Sequence, residues 1–406
     1  MEQLRIGIIG SGSWATAIAK IASDNGNCIA WWVRQSANID YFKKRHHNPQ
    51  YLRNAYFDVS KINFSDDILE VIEQSDVLVM AVPSIHLESA LQSVTAEHLR
   101  GKKIVSAIKG VIPKHNILLH QYLAKEYGFP IEQYFTLLGP SHAEEVAAEQ
   151  LSYLTFSGLD RETTTAIAAC FKSDYINTIV NEDVIGVQYA GVVKNIYALG
   201  AGIAHGLEYG DNFLSVYIAN CASEMKLLLK TIMEKEGRSC TAVNYNSSVY
   251  LGDLLVTCYS LHSRNRTFGN MIGKGYSVRA TELELNMVAE GYNASKCIVA
   301  INEDLKVDGL YNREPFAYRW LISHEDKPFH QILERFLNRL DPIESRHLFA
   351  LETYPSENTS DPVSTLGWFA SLAILIISGS LIWSLYKKKS SQEQALASLN
   401  TSKEMA

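Results

Sequence analysis

Two charged side chains stand inside otherwise apolar stretches of the sequence. Lys194 is the single charge in residues 184–203, VIGVQYAGVVKNIYALGAGI, and Asp253 is the single charge in residues 247–260, SSVYLGDLLVTCYS. A buried carboxylate needs a partner, and a lysine stripped of water can donate and accept protons. The pattern predicts that the two side chains lie close together and move a proton. The alternatives are a lysine that extends to solvent and an aspartate that caps a helix after Gly252.

A polar cluster follows the second of these stretches. Arg264, Asn265 and Arg266 occur in residues 261–275, LHSRNRTFGNMIGKG. Guanidinium groups present fixed pairs of donors to phosphate or carboxylate. We expect a glycine-punctuated loop that binds an anion, and a solvated loop is the alternative.

A glycine turn, GSGSWA, follows a short apolar run near the N-terminus. A helical pattern and a second apolar run, residues 28–33, come next, and this order is typical of a dinucleotide-binding unit with alanine at the third glycine position. Gly10 would permit the tight turn, and Gly12 the approach of a pyrophosphate to the N–H groups of the helix. Arg34 stands where an acidic residue would bind the ribose, and it could stack on adenine or meet a 2′-phosphate, so the choice between NAD and NADP stays open. A solvated loop arginine is the alternative.

Three further apolar runs, residues 76–82, 103–108 and 134–138, are separated by segments of helical length and indicate an open parallel sheet. Turn or polar residues close these runs, and they include Pro83, Lys109 and Ser141. Because ligands bind beyond the carboxyl ends of such strands, we expect these residues to meet in one crevice. A surface position is the alternative for Lys109.

Composition restricts the class of protein. The chain has 406 residues, of which 47% are hydrophobic, and this is enough for two domains with separate cores. A net charge of −7 argues against a general attraction to nucleic acid. The six cysteines form no CxxC pair, so we expect neither a metal site nor a disulfide framework.

The predicted fold class is an α/β Rossmann-type N-terminal domain, an all-helical C-terminal domain and a single C-terminal transmembrane helix. The predicted ranges are a dinucleotide-binding domain at 1–182, a helical substrate domain at 183–337, a linker at 338–365, the transmembrane helix at 366–386 and a polar tail at 387–406.

The transmembrane prediction rests on residues 366–386, which contain no charge and precede three lysines. The lysines favour a cytoplasmic tail and an enzyme outside. The sequence has no N-terminal export signal, and the NAD(P)H that the dinucleotide-binding unit would bind is intracellular. We therefore expect a cytoplasmic enzyme that a C-terminal anchor holds at the membrane.

The motifs GSGSWA, AVPS, SAIKG, GPSHAEEVA, DVIGVQYAGVVKN, GDN, LGDLLVTCYSLHSRNRTFG and AEG occur in this order. Together they resemble the NAD(P)-dependent glycerol-3-phosphate dehydrogenases of the bacterial and cytosolic type, over about residues 4–335. The resemblance implies an active site between the two domains. It also implies reversible hydride transfer between NAD(P)H and dihydroxyacetone phosphate, which gives sn-glycerol 3-phosphate for glycerophospholipid synthesis. It leaves a homodimer open.

The resemblance also implies roles for single residues. Lys194 would be the proton donor and acceptor, Asp253 would hold it, and Lys109 would contact the substrate; these are the expected catalytic residues. The expected cofactor contacts are Gly10, Ser11, Gly12, Ser13, Trp14, Arg34, Pro83, Lys109, Ala143, Arg264 and Glu290. The expected substrate contacts are Lys109, Gly139, Ser141, Lys194, Asn195, Asp253, Thr257, Ser263, Arg264 and Asn265. The substrate phosphate would lie on Arg264 and Asn265.

Two other functions compete with this one. The first is another two-domain Rossmann dehydrogenase, acting on 3-hydroxy acids, and the SRNR segment argues against it. The second is a catalytically silent, membrane-tethered NAD(P)-binding sensor. A silent protein would lack Lys194 or Asp253, and both are present.

Overall fold

The computed structural model describes residues 4–238, 243–285 and 289–305. All of them fall within one compact unit of the chain. The strands are β1 Ile6–Ile9, β2 Ile29–Trp32, β3 Ile62–Ser65, β4 Val77–Met80, β5 Lys103–Ser106, β6 Tyr134–Leu138, β7 Ser152–Ser157 and β8 Ile176–Asn181. The helices of the sheet-containing part are α1 Ser13–Asp24, α2 Ser36–Arg45, α3 Ile68–Glu73, α4 Leu87–Ala90, α5 Ala96–Leu99, α6 Leu119–Tyr127, α7 Ala143–Ala147 and α8 Arg161–Ala169. The helices that follow are α9 Gly186–Gly206, α10 Gly210–Lys235, α11 Asp253–Tyr259, α12 Arg264–Gly273, α13 Val278–Leu285 and α14 Glu290–Leu305.

The described strands form one eight-stranded sheet in the order β3-β2-β1-β4-β5-β6-β7-β8. Neighbours from β3 to β6 are parallel, β7 runs antiparallel to β6, and β8 is parallel to β7. The chain crosses from β3 over to β4 beside β1, so the strand order reverses there. In an open α/β sheet this switch point lies beside the ligand crevice.

Apolar clusters cover both faces of the sheet, as the continuous apolar runs of its central strands require. One cluster joins β1, β2 and β6 to α1 and α8, and another joins β4 and β5 to α3 and α6. A separate cluster unites α9, α10, α11 and α14. The predicted order, a Rossmann-type sheet followed by helices, is confirmed by these elements.

Three strands, β3, β7 and β8, were not predicted from the sequence. The segment that contains β3 is polar, and β3 itself reads INFS. Strands β7 and β8 have exposed or half-exposed positions and lie at the sheet edge beyond the antiparallel step. They therefore lack the continuous apolar pattern of strands that are buried on both faces.

Helix α9 is buried from Gly186 to Ala204, as its apolar sequence predicts. It packs against α12 with the two backbones in direct contact. A Cβ at Gly202 would lie 2.0 Å from the carbonyl oxygen of Arg266, and one at Gly269 would lie 1.9 Å from that of Leu199. Only glycine allows this approach.

The prediction of a loop over residues 261–275 is wrong, because most of this segment is α12. Its glycines suggested chain turns. The structure shows that Gly269 and Gly273 instead admit the backbone of α9, since a Cβ at Gly273 would lie 2.4 Å from the carbonyl oxygen of Ile203. Glycine occurs both where helices pack closely and where loops turn, so the sequence alone does not distinguish the two.

The predicted transmembrane helix is also corrected. The segment 366–386 lies outside the described residues, as do the linker 338–365 and the tail 387–406. Within the described ranges no helix is long and apolar enough to cross a bilayer. The apolar helix α9 carries Lys194 and is buried among protein side chains. The described fold is therefore a Rossmann-type α/β part followed by a helical part, and the predicted membrane helix is not supported.

Candidate active site

The glycine turn lies at the carboxyl end of β1. Gly10 has a φ of +127°, and a Cβ there would lie 2.8 Å from the carbonyl oxygen of Ala81, so the position requires glycine. A Cβ at Gly12 would meet no atom of the described residues within 4 Å. The missing side chain at Gly12 therefore keeps a space open at the N-terminus of α1, where backbone N–H groups favour anions.

Side chains from β2 and the segment before β3 fix this turn. The indole N–H of Trp31 donates to the carbonyl oxygen of Gly10 at 2.7 Å. The side-chain amide of Asn48 donates to the carbonyl oxygen of Ser11 at 3.2 Å and to the Oγ1 of Thr16 at 2.8 Å. The turn is thus held in shape before any ligand binds.

Lys109 lies three residues beyond β5 and reaches the glycine turn. Its Nζ is 4.9 Å from the centroid of the Trp14 ring, a cation–π contact. The Nε1 of Trp14 is buried and finds no acceptor among the described residues. Burial, and then the positive charge of Lys194, lower the pKa of Lys109 to about 7, while Asp253 opposes the shift.

Lys194 and Asp253 form a buried ion pair between α9 and α11, with side-chain exposures of 5% and 2%. The predicted proximity of these two residues is confirmed. The second carboxylate oxygen of Asp253, Oδ2, is buried and has no donor within the described part of the chain. Thr257 donates from Oγ1 to the backbone carbonyl of Asp253 at 2.5 Å. The catalytic roles of the pair stay a prediction.

Asn195 joins this pair to the sheet. Its side-chain amide donates to the carbonyl oxygen of Lys109 at 3.1 Å. The residue after Lys194 thereby fixes the loop that carries Lys109, and both lysines are held at the carboxyl edge of the sheet.

The first turn of α12 supplies the predicted phosphate ligands. Ser263 caps the helix by accepting from the N–H of Arg266 at 3.3 Å. The guanidinium of Arg264 donates to the Oγ of Ser13 in the glycine turn. The side-chain oxygen of Asn265 accepts from the backbone N–H of Gly291 at 2.9 Å. A cation at a helix N-terminus, facing a dinucleotide turn, is suited to bind an anion between them.

Glu290, at the start of α14, binds the loop after β4. Its carboxylate accepts from the Oγ of Ser84 at 2.9 Å and from the Ser84 backbone N–H at 3.3 Å. A Cβ at Gly110 would lie 2.4 Å from the carboxylate, so this glycine leaves room for it. Burial raises the pKa of Glu290, and the hydrogen bonds from Ser84 oppose that shift.

The loop after β6 forms another wall. Gly139 has a φ of +124°, and the Oγ of buried Ser141 donates to its carbonyl oxygen at 3.1 Å. Ala143 is buried at the start of α7. Burial, and then the charges of Lys109 and Lys194, lower the pKa of His142 to about 4, so His142 is neutral at pH 7.

The structure brings most of the predicted residues to one edge of the sheet through the contacts above. Arg34 lies two residues beyond β2, Pro83 lies three residues beyond β4, and both are exposed. Sequence reasoning missed Ser84, His142 and Asn48. Ser84 and His142 stand inside motifs that were noticed, AVPS and GPSHAEEVA, so their position was the available signal. Asn48 lies in a polar segment that contains no recognisable motif, so the sequence offered no signal for it.

The residues present fit a nicotinamide dinucleotide. The space at Gly12 admits a pyrophosphate against the N-terminus of α1, and the indole N–H of Trp14 is a donor left without a partner in the described part of the chain. The ion pair of Lys194 and Asp253 lies near Lys109 at the same edge. Together these features fit a Rossmann-type dehydrogenase with a buried lysine–carboxylate pair beside its dinucleotide site.

Comparison with known proteins identifies the family. Residues 5–164 match the family model described as "NAD-dependent glycerol-3-phosphate dehydrogenase N-terminus", and residues 183–317 match the one for its C-terminus. Glycerol-3-phosphate dehydrogenase [NAD(P)+] of Agathobacter rectalis is 32% identical over 345 residues, which cover 85% of this chain and 98% of that protein. The same enzyme of Chlorobium luteolum is 32% identical, with coverage of 83% and 98%.

A solved structure agrees with these relatives. The crystal structure of glycerol-3-phosphate dehydrogenase from Coxiella burnetii has a TM-score of 0.69 and 25% identity, and the match covers 86% of this chain and 99% of that one. The chain belongs to the NAD-dependent glycerol-3-phosphate dehydrogenase family and is an NAD(P)-dependent oxidoreductase.

Proposed function

We propose that the chain reversibly reduces dihydroxyacetone phosphate to sn-glycerol 3-phosphate with NAD(P)H, with Lys194 as the proton donor and acceptor. The observation that carries this proposal is the ion pair of Lys194 and Asp253. A ketone that gains a hydride needs a proton at its oxygen, and an ammonium held by a carboxylate at the strand ends can supply it. The matched family supports the substrate.

A nicotinamide held in this crevice would supply the hydride for C2 of the ketone in the forward direction and would take it up in the reverse direction. Lys194 donates a proton to the carbonyl oxygen, so the C=O group becomes a secondary alcohol, and the neutral amine takes the proton back in the reverse reaction. Asp253 orients Lys194 through Oδ1. Its Oδ2, which lacks a donor among the described residues, remains able to accept a hydrogen bond from the substrate.

The phosphate binds at the first turn of α12. Arg264 offers paired donors there, and the helix N-terminus adds positive potential. The oxygen of Asn265 is engaged by the N–H of Gly291, which leaves the NH2 group of its amide to donate to a phosphate oxygen. Lys109 supplies a further cation. Ser263, Thr257 and the Gly139 to Ser141 loop complete the proposed walls.

The cofactor would lie along the glycine turn from Gly10 to Trp14. Ala143, Pro83 and Glu290 are its further proposed contacts, and Arg264 reaches the same turn through Ser13. Arg34 is exposed at the end of β2, where it can meet a 2′-phosphate or stack on adenine. The choice between NAD and NADP therefore stays open.

The assay that tests this proposal follows NADH and NADPH oxidation with dihydroxyacetone phosphate, and compares acetoacetate as a 3-oxo acid. We expect turnover with dihydroxyacetone phosphate and little with the acid, because Arg264 would then lack a phosphate. Turnover with the acid alone would support a 3-hydroxy acid dehydrogenase. Cofactor binding without turnover on either compound would support a silent sensor.

Lys109 gives the activity a pH dependence. Its pKa of about 7, lowered by burial, means that the side chain is charged below that pH and neutral above it. We expect kcat/KM for dihydroxyacetone phosphate to fall as pH rises above about 7, by up to about tenfold per pH unit, since the free enzyme loses a cation that meets the substrate.

The matched control for this pH profile is Lys109→Arg, whose side chain keeps its charge at all working pH values. Its absolute rate is expected to fall, and its alkaline decline should move to higher pH. An identical profile in both proteins would assign the decline to another group.

We further infer a cytoplasmic location, where NAD(P)H and the substrate are available, and a place in glycerophospholipid synthesis, because sn-glycerol 3-phosphate is its backbone. A homodimer stays a prediction, and sedimentation equilibrium tests it.

A further inference from the structure

A second buried carboxylate, Asp183, lies just before α9 and caps that helix. Its Oδ1 accepts from the backbone N–H of Gly186 at 2.7 Å. A Cβ at Gly186 would lie 2.2 Å from Asp183 Oδ2, so glycine there lets the carboxylate fold back over the helix end. Asp183 is 9% exposed, and none of the proposed chemistry uses it.

The other oxygen of Asp183 binds a residue far away in sequence. The buried phenol hydroxyl of Tyr250 donates a short hydrogen bond to Asp183 Oδ2. Burial raises the pKa of Asp183, and the hydrogen bond from Tyr250 opposes that shift. The carboxylate thus joins the start of α9 to the segment that carries Tyr250.

That segment is a π-helical turn, Ser248–Gly252, which leads directly into Asp253. The N–H of Gly252 points to the carbonyl oxygen of Ser247, five residues back, at 3.5 Å. Such turns are rare and occur often at functional sites, because they shift the direction of the residues that follow. The orientation of Asp253 therefore depends on how this turn is held.

Two polar contacts connect the segment from Asp183 through α9 to the segment from the π-helical turn into α11. One joins Asp183 to Tyr250, and the other joins Lys194 to Asp253. Gly186 and Lys194 are about 12 Å apart along α9, at about 1.5 Å per residue. Two contacts at that spacing fix both the axial position and the rotation of the π-helical turn against α9, which a single contact cannot do.

We propose that Asp183 and Tyr250 are positioning residues that hold Asp253 in the orientation in which it binds Lys194. This inference rests on the proposed function. Neither residue touches the substrate or the cofactor in it, so their effect passes through Asp253.

The test is Tyr250→Phe, which removes one hydroxyl and keeps the ring. We expect kcat for dihydroxyacetone phosphate to fall about 10- to 100-fold, because small displacements of catalytic groups have effects of this size. The KM values for substrate and cofactor should change less than about twofold, since the phosphate contacts on α12 and the dinucleotide contacts on the glycine turn lie on other segments. A kcat within twofold of wild type would overturn the proposal.

Tyr134→Phe is the matched control. Tyr134 is also fully buried, and its hydroxyl donates to Gln188 on the same helix, α9, at 2.7 Å. Among the contacts that the structure describes, Tyr134 makes no hydrogen bond to the π-helical turn. Both variants should lose thermal stability, but Tyr134→Phe should keep its kcat. An equal loss of kcat in both would show a general effect of loosening α9 and would overturn the proposal.

A second pair of variants covers the case in which Tyr250→Phe does not fold. Asp183→Asn keeps an oxygen that accepts from Gly186 or Tyr250, and Asp183→Ala keeps neither contact. We expect kcat to decrease from wild type to Asn to Ala, and equal kcat values in all three would contradict the role. Absence of turnover in the wild-type protein would refute the proposed function instead.

Discussion

Lys194→Met is expected to lower kcat for dihydroxyacetone phosphate reduction by about 1,000-fold, because general acid catalysis contributes factors of this order. The ketone would still receive its phosphate contacts, but no buried group would deliver a proton to its oxygen. Affinity for NADH should stay unchanged, since the glycine turn is not altered. Steady-state kinetics and a fluorescence titration of NADH measure the two effects on one preparation.

Loss of stability must be separated from loss of chemistry in this variant. Removing one partner of a buried ion pair costs about 3–5 kcal/mol, so Lys194→Met will unfold at a lower temperature than wild type. Lys20→Met is the matched control. Lys20 is also buried, and it pairs with Asp24 on the same helix, α1, and with Glu149, which follows α7. It should lose stability and keep kcat. Unaltered turnover in Lys194→Met would refute the assigned role.

Arg264→Ala is expected to raise KM for dihydroxyacetone phosphate by about 100-fold, since charge-assisted hydrogen bonds contribute about 1.5–3 kcal/mol each. The effect should be largest on the substrate, because the phosphate loses paired donors at the N-terminus of α12. The cofactor KM should rise less, through the lost contact with Ser13. Initial rates with each reactant varied in turn separate the two.

The control for this variant is Arg5→Ala. Arg5 also makes hydrogen bonds to a carboxylate, Asp76, but it precedes β1 at the opposite edge of the sheet from the glycine turn. Its KM values should stay near those of wild type. A change of KM below about threefold in Arg264→Ala would place the phosphate elsewhere, because a lost charge-assisted contact costs more than that.

Strong local patterns made the central parts of this molecule predictable. Strands that are buried on both faces need continuous apolar sequence, and β1, β4 and β6 have it. A charge in an apolar run has few ways to be satisfied, which is why Lys194 and Asp253 could be paired before their helices were located. The glycine turn is fixed by backbone geometry, so its spacing shows in the sequence.

Other features depend on contacts between distant segments and leave no local pattern. Asn48 and Ser84 act on groups that are far away along the chain, namely the turn at Ser11 and the carboxylate of Glu290. The link between Asp183 and Tyr250 spans 67 positions. Sequence periodicity carries no information on such pairings. The glycines of α12 were misread for the same reason, since they make room for the backbone of another helix, α9.

The transmembrane prediction failed as a description of this fold for a different reason. It used only the length and charge of one segment, and the structure describes no membrane-spanning helix in residues 4–238, 243–285 and 289–305. Helix α9 shows that an apolar run of comparable length can be a core helix when glycines let neighbours pack against it.

A double-mutant cycle on Lys194 and Asp253 tests the central claim most directly. The measured quantity is kcat for dihydroxyacetone phosphate in Lys194→Met, Asp253→Asn and the double variant, which buries no unpaired charge at the site. Because the proton step requires Lys194 and Asp253 acts on that step by orienting it, the double variant should be as slow as Lys194→Met alone, within about twofold, since residues that act as a unit are not additive. Losses that multiply would show that the two residues act independently and would contradict the mechanism.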